Sequence, residues 1–208
     1  MATRIPGTIR DHAVAFGWGV AEATVFFIVP DVWTSRVALR HPRRAFATTL
    51  SATAGAVLGG AIVHRWAART PAASSAATMA RIPAIDAAMV DAVDEQVARS
   101  GYRAMLTGPT RGVPYKLYAR AAGSQGLPLG GLLAWTGPAR IVRFVLVTGM
   151  FGGLAAASRR AGLNRPGRGL ARVLGTPERA EKTVHALGWT LFYAWYFHAV
   201  RAGKLGRA

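Results

Sequence analysis

Long uncharged apolar segments alternate with basic connections along the chain. The segments 45–63 and 121–139 contain no charged residue, 141–157 contains only Arg143, and 184–200 contains none apart from two histidines. A helix needs roughly 20 apolar residues to cross a hydrocarbon core of about 30 Å, and several of these segments approach that length. Most lysines and arginines lie between the segments, as membrane topology requires. The pattern therefore predicts an all-α integral membrane protein.

The composition agrees with this pattern once the charges are mapped onto it. Of the 208 residues 51% are hydrophobic, yet the formal net charge is +17. Soluble nucleic-acid-binding domains spread such charge over one face of a fold, whereas here it flanks apolar spans. We therefore expect a multi-pass protein of the inner (plasma) membrane and no nucleic-acid partner. Because the chain has no cysteine and its five histidines are scattered, we expect no metal, no cofactor and no enzymatic activity.

Charge and hydropathy divide the chain into four parts. These are a basic N-terminal segment 1–12, a membrane domain 13–157, a basic loop 158–183, and an aromatic membrane segment with its tail, 184–208. Within the membrane domain, 85–102 has apolar residues at helical spacing with acids on the other face, which predicts an amphipathic surface helix. The side of the membrane on which the last segment ends stays open, because Arg201 favours the cytoplasm and a crossing would place it outside.

Two segments interrupt the apolar pattern with proline, glycine and charged residues. They are 21–32 and 108–123, and each is followed by a glycine-containing apolar span, at 45–63 and 134–157. Broken segments at matching positions in two halves of a membrane protein are typical of transporter sites. The pattern predicts two re-entrant helical hairpins that face each other, in an inverted-repeat-like arrangement with flanking transmembrane helices.

The distribution of arginine favours a hairpin over a plain span in the first segment. A plain span at 13–29 would place Arg4 and Arg10 on one side of the membrane and the arginines of 36–44 on the other, against the positive-inside rule. A hairpin that turns at Pro30 leaves both groups in the cytoplasm, since proline does not continue a helix. Non-helical backbone at membrane depth requires protein or water around it, so the hairpin predicts an aqueous cavity.

Charged side chains within the membrane segments are the candidate functional residues. An ionised residue at the centre of a membrane helix costs about 2.5–3.5 kcal/mol on insertion scales, and it persists when it pairs or faces a cavity. We expect acids of the first half to meet bases of the second near the midplane; the alternative is that the acids lie at the membrane interface. The candidates for substrate binding or coupling are Glu22, Asp31, Arg111, Lys116, Arg140 and Arg143.

Four stretches in order carry a resemblance to a known family. They read FGWGVAEATVFFIVPDV, ATAGAVLGGAI, GVPYKLYARAAG and GPARIVRF. Together they resemble the DedA family, also called the VTT or SNARE-associated Golgi protein domain, over residues 13–157. The resemblance implies a lipid transporter or scramblase with two facing re-entrant hairpins, acting on phospholipids or a polyprenyl phosphate, with proton or sodium coupling in some members.

The same resemblance implies roles for individual residues. The acids of its first hairpin match Glu22 and Asp31, the bases of its second match Lys116 and Arg111, and its G-[RK]-x-x-R-[FY] element matches 137–144. In that element Arg143 takes the place of the second base. Arg140 takes the place of the first base, but at a shifted position. The family's frequent asparagine is replaced by Ala56, and the spacing before the PYK motif is longer than usual. Residues 158–208 have no counterpart.

These observations predict a flippase or scramblase for lipid-linked phosphate. A groove that contains Arg111, Lys116 and Arg143 would neutralise the phosphate, and arginine presents a planar fork of donors to its oxygens. Glu22 and Asp31 would hold the bases when no lipid is bound, and protonation of an acid would release a base. A non-transporting scaffold for envelope homeostasis and a small-ion or small-molecule carrier stay open as alternatives, as does a homo-oligomer.

Overall fold

A computed structural model describes residues 7–106, 108–163 and 170–203. These residues form α-helices and two short 3₁₀ helices, Gly101–Leu106 and Gly108–Arg111, with no strand among them. Arg4, the arginines at 165 and 168, and the tail from 204 onward lie outside the described residues. The α-helices are α1 (Gly7–Thr24), α2 (Asp31–Ala38), α3 (Pro42–Ala67), α4 (Ala72–Met79), α5 (Ala87–Ser100), α6 (Tyr115–Ser124), α7 (Leu129–Arg160), α8 (Leu170–Leu174) and α9 (Pro177–Arg201).

Two of these helices, α3 and α7, are long and apolar enough to cross a membrane. Most of the apolar stretch of α7 is not covered by other helices: Leu146, Met150 and Leu154 are each more than half exposed. An apolar surface of this kind suits contact with lipid, because few soluble proteins leave such patches uncovered. The all-helical class is confirmed, and the two apolar helices favour a membrane protein.

Helices α1 and α3 run parallel and touch backbone to backbone. A Cβ atom on Gly19 would lie 2.2 Å from the carbonyl oxygen of Ala52, and one on Gly55 would lie 2.1 Å from that of Phe16. Gly59 is similarly close to α1, where its Cβ would lie 2.8 Å from Val20 O. Small residues permit this close approach. Because Glu22 lies on α1, this packing fixes its position relative to α3.

Charged residues tie several helix ends together at one end of the bundle, which we call the basic end. Arg44 at the start of α3 binds Asp11 of α1 at 3.1 Å. Glu181 near the start of α9 binds both Arg40, beyond the end of α2, at 2.9 Å and Arg159, at the end of α7, at 3.1 Å. The first turns of α1, α3 and α9 therefore lie beside the last turns of α2 and α7.

The opposite end is covered by a cap made of α4, α5 and the first 3₁₀ helix. Asp86 caps α5 by accepting a hydrogen bond from Met89 N at 2.7 Å, a common device at helix starts. The predicted amphipathic helix is confirmed, since Met89, Val93 and Val97 are buried on one face of α5. Val200 of α9 packs against the same core. Because α9 begins at the basic end and reaches the cap, it runs the length of the bundle.

Candidate functional site

The chain between α1 and α2 is not helical, and its backbone is held by side chains from three other places in the fold. Residues 26–29 are not helical, and three hydrogen bonds with side chains hold this stretch. The bonds run from Trp18 Nε1 to Ile28 O at 2.9 Å, from Lys116 Nζ to Phe26 O at 2.6 Å and from Val29 N to Tyr193 Oη at 2.7 Å. Irregular backbone at membrane depth needs such partners, because lipid supplies none.

The second break lies opposite the first and is built in a similar way. The 3₁₀ helix ends at Arg111, the chain continues through 112–114, and α6 begins at Tyr115 after Pro114. The hydroxyl of Tyr196 donates a hydrogen bond to the carbonyl of Gly112 at 3.0 Å. Proline restricts the backbone at the start of a helix, so α6 begins at a fixed point. Its first residues thereby face residues 25–30.

A buried ion pair joins α1 to α7 beside these breaks. The guanidinium of Arg140 donates to both carboxylate oxygens of Glu22, and the two side chains are only 3% and 5% exposed. The guanidinium also lies 5.1 Å from the ring centroid of Tyr115 and 4.9 Å from that of Phe144, positions typical of cation–π contacts. Arg140 is therefore held from several sides.

A second ion pair is less constrained. Arg143 lies 2.9 Å from the carboxylate of Asp31, at the first residue of α2. Asp31 is 1% exposed, whereas the side chain of Arg143 is 29% exposed. Within the described parts of the chain, neither carboxylate oxygen of Asp31 has a well-aligned hydrogen bond. The contact is thus mainly one of charge, and Arg143 keeps donors that can turn toward another anion.

Lys116 differs from both arginines because it forms no ion pair with any acid in the described residues. Its ammonium group is buried and donates to the carbonyl of Phe26. An ammonium group has three donors, and burying its charge without a carboxylate partner is costly. Such a cation is a strong candidate for binding an anion.

A cavity of about 270 Å³ opens onto these charges. Glu22, Lys116, Arg140 and Arg143 line it on one side, with Asp31 behind Arg143. Three cations and two acids give the cluster one excess positive charge. The other wall is apolar and is formed by residues of the α4–α5 connection, the first break and α9, among them Ile82, Ile85, Phe27, Phe192 and Trp195.

The structure brings together five of the six residues that the sequence nominated: Glu22, Asp31, Lys116, Arg140 and Arg143. Arg111 is exposed on the second 3₁₀ helix and does not line the cavity, so the structure does not place it in the cluster. The acids pair with arginines of α7 and not with those of the second broken segment. Arg120, another base of that segment, turns to the cap and binds Asp94 and Ser75.

Comparison with protein-family models, curated proteins and solved structures gave no match for this chain. The resemblance to the DedA family therefore stays a prediction that depends on the four quoted stretches.

Sequence reasoning did not find the aromatic residues of the site. Tyr115 supports Arg140, and its hydroxyl bonds Thr136 Oγ1 at 2.7 Å. Tyr193 and Tyr196 bond the two breaks, whereas the sequence pattern predicts only an aromatic membrane segment there. The available signal was the three-residue spacing of these tyrosines, which places them on one face of a helix.

Gly60 determines the position of Tyr115, and its replacement by alanine is expected to destabilise the protein by about 1–3 kcal/mol, as overpacking does. A Cβ atom on Gly60 would lie 2.0 Å from Tyr115 Oη, so the ring would have to move from beneath Arg140. Thermal unfolding in detergent measures the effect. Gly153→Ala on α7 is the matched control, because nothing lies within 4 Å of its Cβ position. Equal stability of the two variants would contradict the assignment.

Proposed function

We propose that this protein is a membrane transporter, a flippase or scramblase, that moves lipids with an anionic phosphate headgroup across the bilayer. In this proposal α1 and α2 form a re-entrant hairpin that starts and ends at the basic end, with residues 25–30 at its tip. The second 3₁₀ helix and α6 form the facing hairpin from the cap side, inverted relative to the first. The contacts of Asp11 with Arg44 and of Lys116 with Phe26 support this arrangement.

The observation that carries the proposal is a net positive cavity in which two cations are available. Lys116 has no carboxylate partner in the described structure, and Arg143 is partly exposed and pairs with Asp31 without a well-aligned hydrogen bond. Arg140 is anchored by Glu22 and two aromatic rings, so it supplies charge without moving. Charge-assisted hydrogen bonds to phosphate are among the strongest in proteins, and this set offers several donors to one headgroup.

The apolar wall favours a lipid over a free anion. Phe192 and Trp195 line the cavity yet are 43% and 56% exposed, so the wall continues outward past the charged floor. An amphiphile can place its headgroup on Lys116 and Arg143 while its chain lies against these rings. A soluble anion would leave the apolar wall without a partner.

The acids supply a route to coupling. When no lipid is bound, Asp31 compensates Arg143 and Glu22 compensates Arg140. Protonation of Asp31 would release Arg143 to a phosphate, which links proton movement to headgroup binding. We propose transport without covalent chemistry, in the inner membrane, with protons or sodium as coupling ions; the similarity to the DedA family agrees with this role.

Lys116→Met tests the proposal in proteoliposomes of phosphatidylcholine. A fluorescent phosphatidylglycerol reports lipid movement when dithionite bleaches the label that reaches the outer leaflet. Loss of one charge-assisted contact, worth roughly 1.5–3 kcal/mol, is expected to slow movement about tenfold or more. Lys182→Met is the matched control, because Lys182 is a partly exposed lysine outside the cavity that pairs with Glu178.

Two arms separate lipid transport from its alternatives. Inorganic phosphate inside and outside the vesicles is expected to compete only weakly, because it has no chain to contact the aromatic wall. A wild-type protein that moves no labelled lipid would contradict the proposal, as would a Lys116→Met variant that matches the Lys182→Met control.

A further inference from the structure

Two tyrosines of α9 bond the two breaks of the chain at once. Tyr193 Oη accepts a hydrogen bond from Val29 N at 2.7 Å, and Tyr196 Oη donates one to Gly112 O at 3.0 Å. Residues three apart lie on one face of a helix, so α9 presents both hydroxyls to the same gap. The two bonded groups are backbone atoms of non-helical chain, which have few other partners at this depth.

Helix α9 is itself fixed to the rest of the bundle, so its tyrosines are held in place. Toward the basic end, Ser35 of α2 bonds both His185 Nε2 at 2.8 Å and Trp189 Nε1 at 3.1 Å. The ring of Trp189 stacks on Phe151 of α7 at 5.7 Å. An anchored helix with two hydroxyls on one face is suited to holding two loops at a set separation.

A second link joins the same two breaks directly, and it uses the cation assigned to the ligand. Lys116 at the start of α6 donates to Phe26 O in the first break. An anion in the cavity would draw the ammonium group away from that carbonyl, because a phosphate oxygen is a stronger acceptor than a neutral carbonyl. With the ligand bound, the direct link is lost and the link through α9 remains.

We propose that Tyr193 and Tyr196 form a clasp, in which they act as positioning residues that keep the two broken segments in register while a bound anion occupies Lys116. The nature of that anion rests on the proposed function; the clasp itself does not. Helix α9, to which the sequence assigned no role, thereby becomes part of the site. Helix α9 sets the distance between the first broken segment, which carries Glu22 and Asp31, and the second, which carries Lys116.

Distances between spin labels test the clasp directly, and the cysteine-free chain permits clean labelling. Val25→Cys and Arg111→Cys place labels at exposed positions next to the two breaks. Four proteins are compared: wild type, Tyr193→Phe/Tyr196→Phe, Lys116→Met and the combined triple variant. Either link alone is expected to preserve a narrow distance distribution, whereas loss of both is expected to widen it at least twofold.

Phenylalanine keeps the ring contacts of both tyrosines, so the change removes hydroxyls alone. Tyr102→Phe combined with Lys116→Met is the matched control, because Tyr102 also donates to a backbone carbonyl, that of Pro128 at 2.5 Å, but outside the cavity. Tyr193→Phe or Tyr196→Phe, each combined with Lys116→Met, should widen the distribution as the triple variant does, because loss of either hydroxyl breaks the link through α9. A narrow distribution in the triple variant, or equal widening in the Tyr102→Phe control, would overturn the clasp.

A ligand arm separates the clasp from the proposed function. Adding phosphatidylglycerol to Tyr193→Phe/Tyr196→Phe is expected to widen the distribution as the triple variant does, since the lipid takes Lys116. If only this arm fails, the clasp stands and the lipid-phosphate assignment is contradicted. If only the triple variant fails to widen, the lipid assignment stands and the clasp is wrong.

Discussion

Replacing Glu22 with alanine is expected to lower the free energy of unfolding by about 3–5 kcal/mol, the usual cost of removing one partner of a buried ion pair. The change leaves the guanidinium of Arg140 buried at 3% exposure without its carboxylate. Lys116 and Arg143 line the same cavity and repel Arg140, and the remaining acid, Asp31, is already paired with Arg143. Chemical denaturation in detergent measures the loss, and lipid movement in proteoliposomes is expected to stop.

The double variant Glu22→Leu/Arg140→Met separates stability from transport. Replacing both members of a buried pair by apolar residues of similar volume is often neutral for stability, so unfolding is expected to return close to wild type. Lipid movement is expected to stay absent, because the cavity has lost its anchored cation and the acid that compensates it. Glu95→Ala is the control, since Glu95 is an exposed acid whose side chain is 72% exposed. A double variant that still moves lipid would show that the pair is structural only.

The acids and bases were predictable as a group, and their individual partners were not. Charges in apolar segments are costly, so Glu22 and Asp31 had to find cations. Which cations they find depends on the rotation and depth of α7 relative to α1 and α2. The rotation and depth of α7 follow from close contacts such as that of Gly152 with Ala38 of α2, where an added Cβ would lie 3.4 Å from the Cβ of Ala38. Sequence spacing does not fix the register of such contacts.

The bases of α6 show a sharper limit of sequence reasoning. Lys116 and Arg120 are four residues apart, so spacing alone places them on one face of the helix. One helical turn advances only about 5.4 Å, yet that distance separates the cavity from the cap. Lys116 reaches Phe26 at the break, while Arg120 is surrounded by α4 and α5. Whether a base of α6 joins the cavity or the cap therefore depends on the residues that pack around it.

The spacing of the α9 tyrosines places them on one face of a helix, but the sequence does not mark the groups that they contact. Tyr193 and Tyr196 bond backbone atoms of Val29 and Gly112. Any residue at those two positions offers the same backbone groups, so no side-chain pattern marks them. Aromatic residues of a membrane protein also fit a belt at the membrane interface, which explains the aromatic residues of 184–200 without any contact to the breaks.

The contrast between Lys116 and Arg120 gives the second large effect: Asp94→Ala is expected to cost about 3 kcal/mol in unfolding free energy and to leave the cavity intact. Arg120, 1% exposed, binds both carboxylate oxygens of Asp94 at 2.5–2.6 Å, together with Ser75 Oγ and Ala72 O. Without the carboxylate its charge is left buried and uncompensated.

Unfolding in detergent measures this cost. Asp91→Ala, on the exposed face of α5, which also carries Asp94, is the matched control.

Helix α6 contributes Arg120 to the cap and Lys116 to the cavity, so its two functions can be separated by comparing variants. Asp94→Ala is expected to lower stability while the dependence of lipid movement on phosphatidylglycerol concentration stays as in wild type, since Lys116 keeps its place. Lys116→Met is expected to change the dependence on phosphatidylglycerol concentration and to leave stability close to that of wild type. If Asp94→Ala weakened lipid binding as strongly as Lys116→Met does, α6 would act as one electrostatic unit, and the division between a structural cap arginine and a ligand-binding lysine would be wrong.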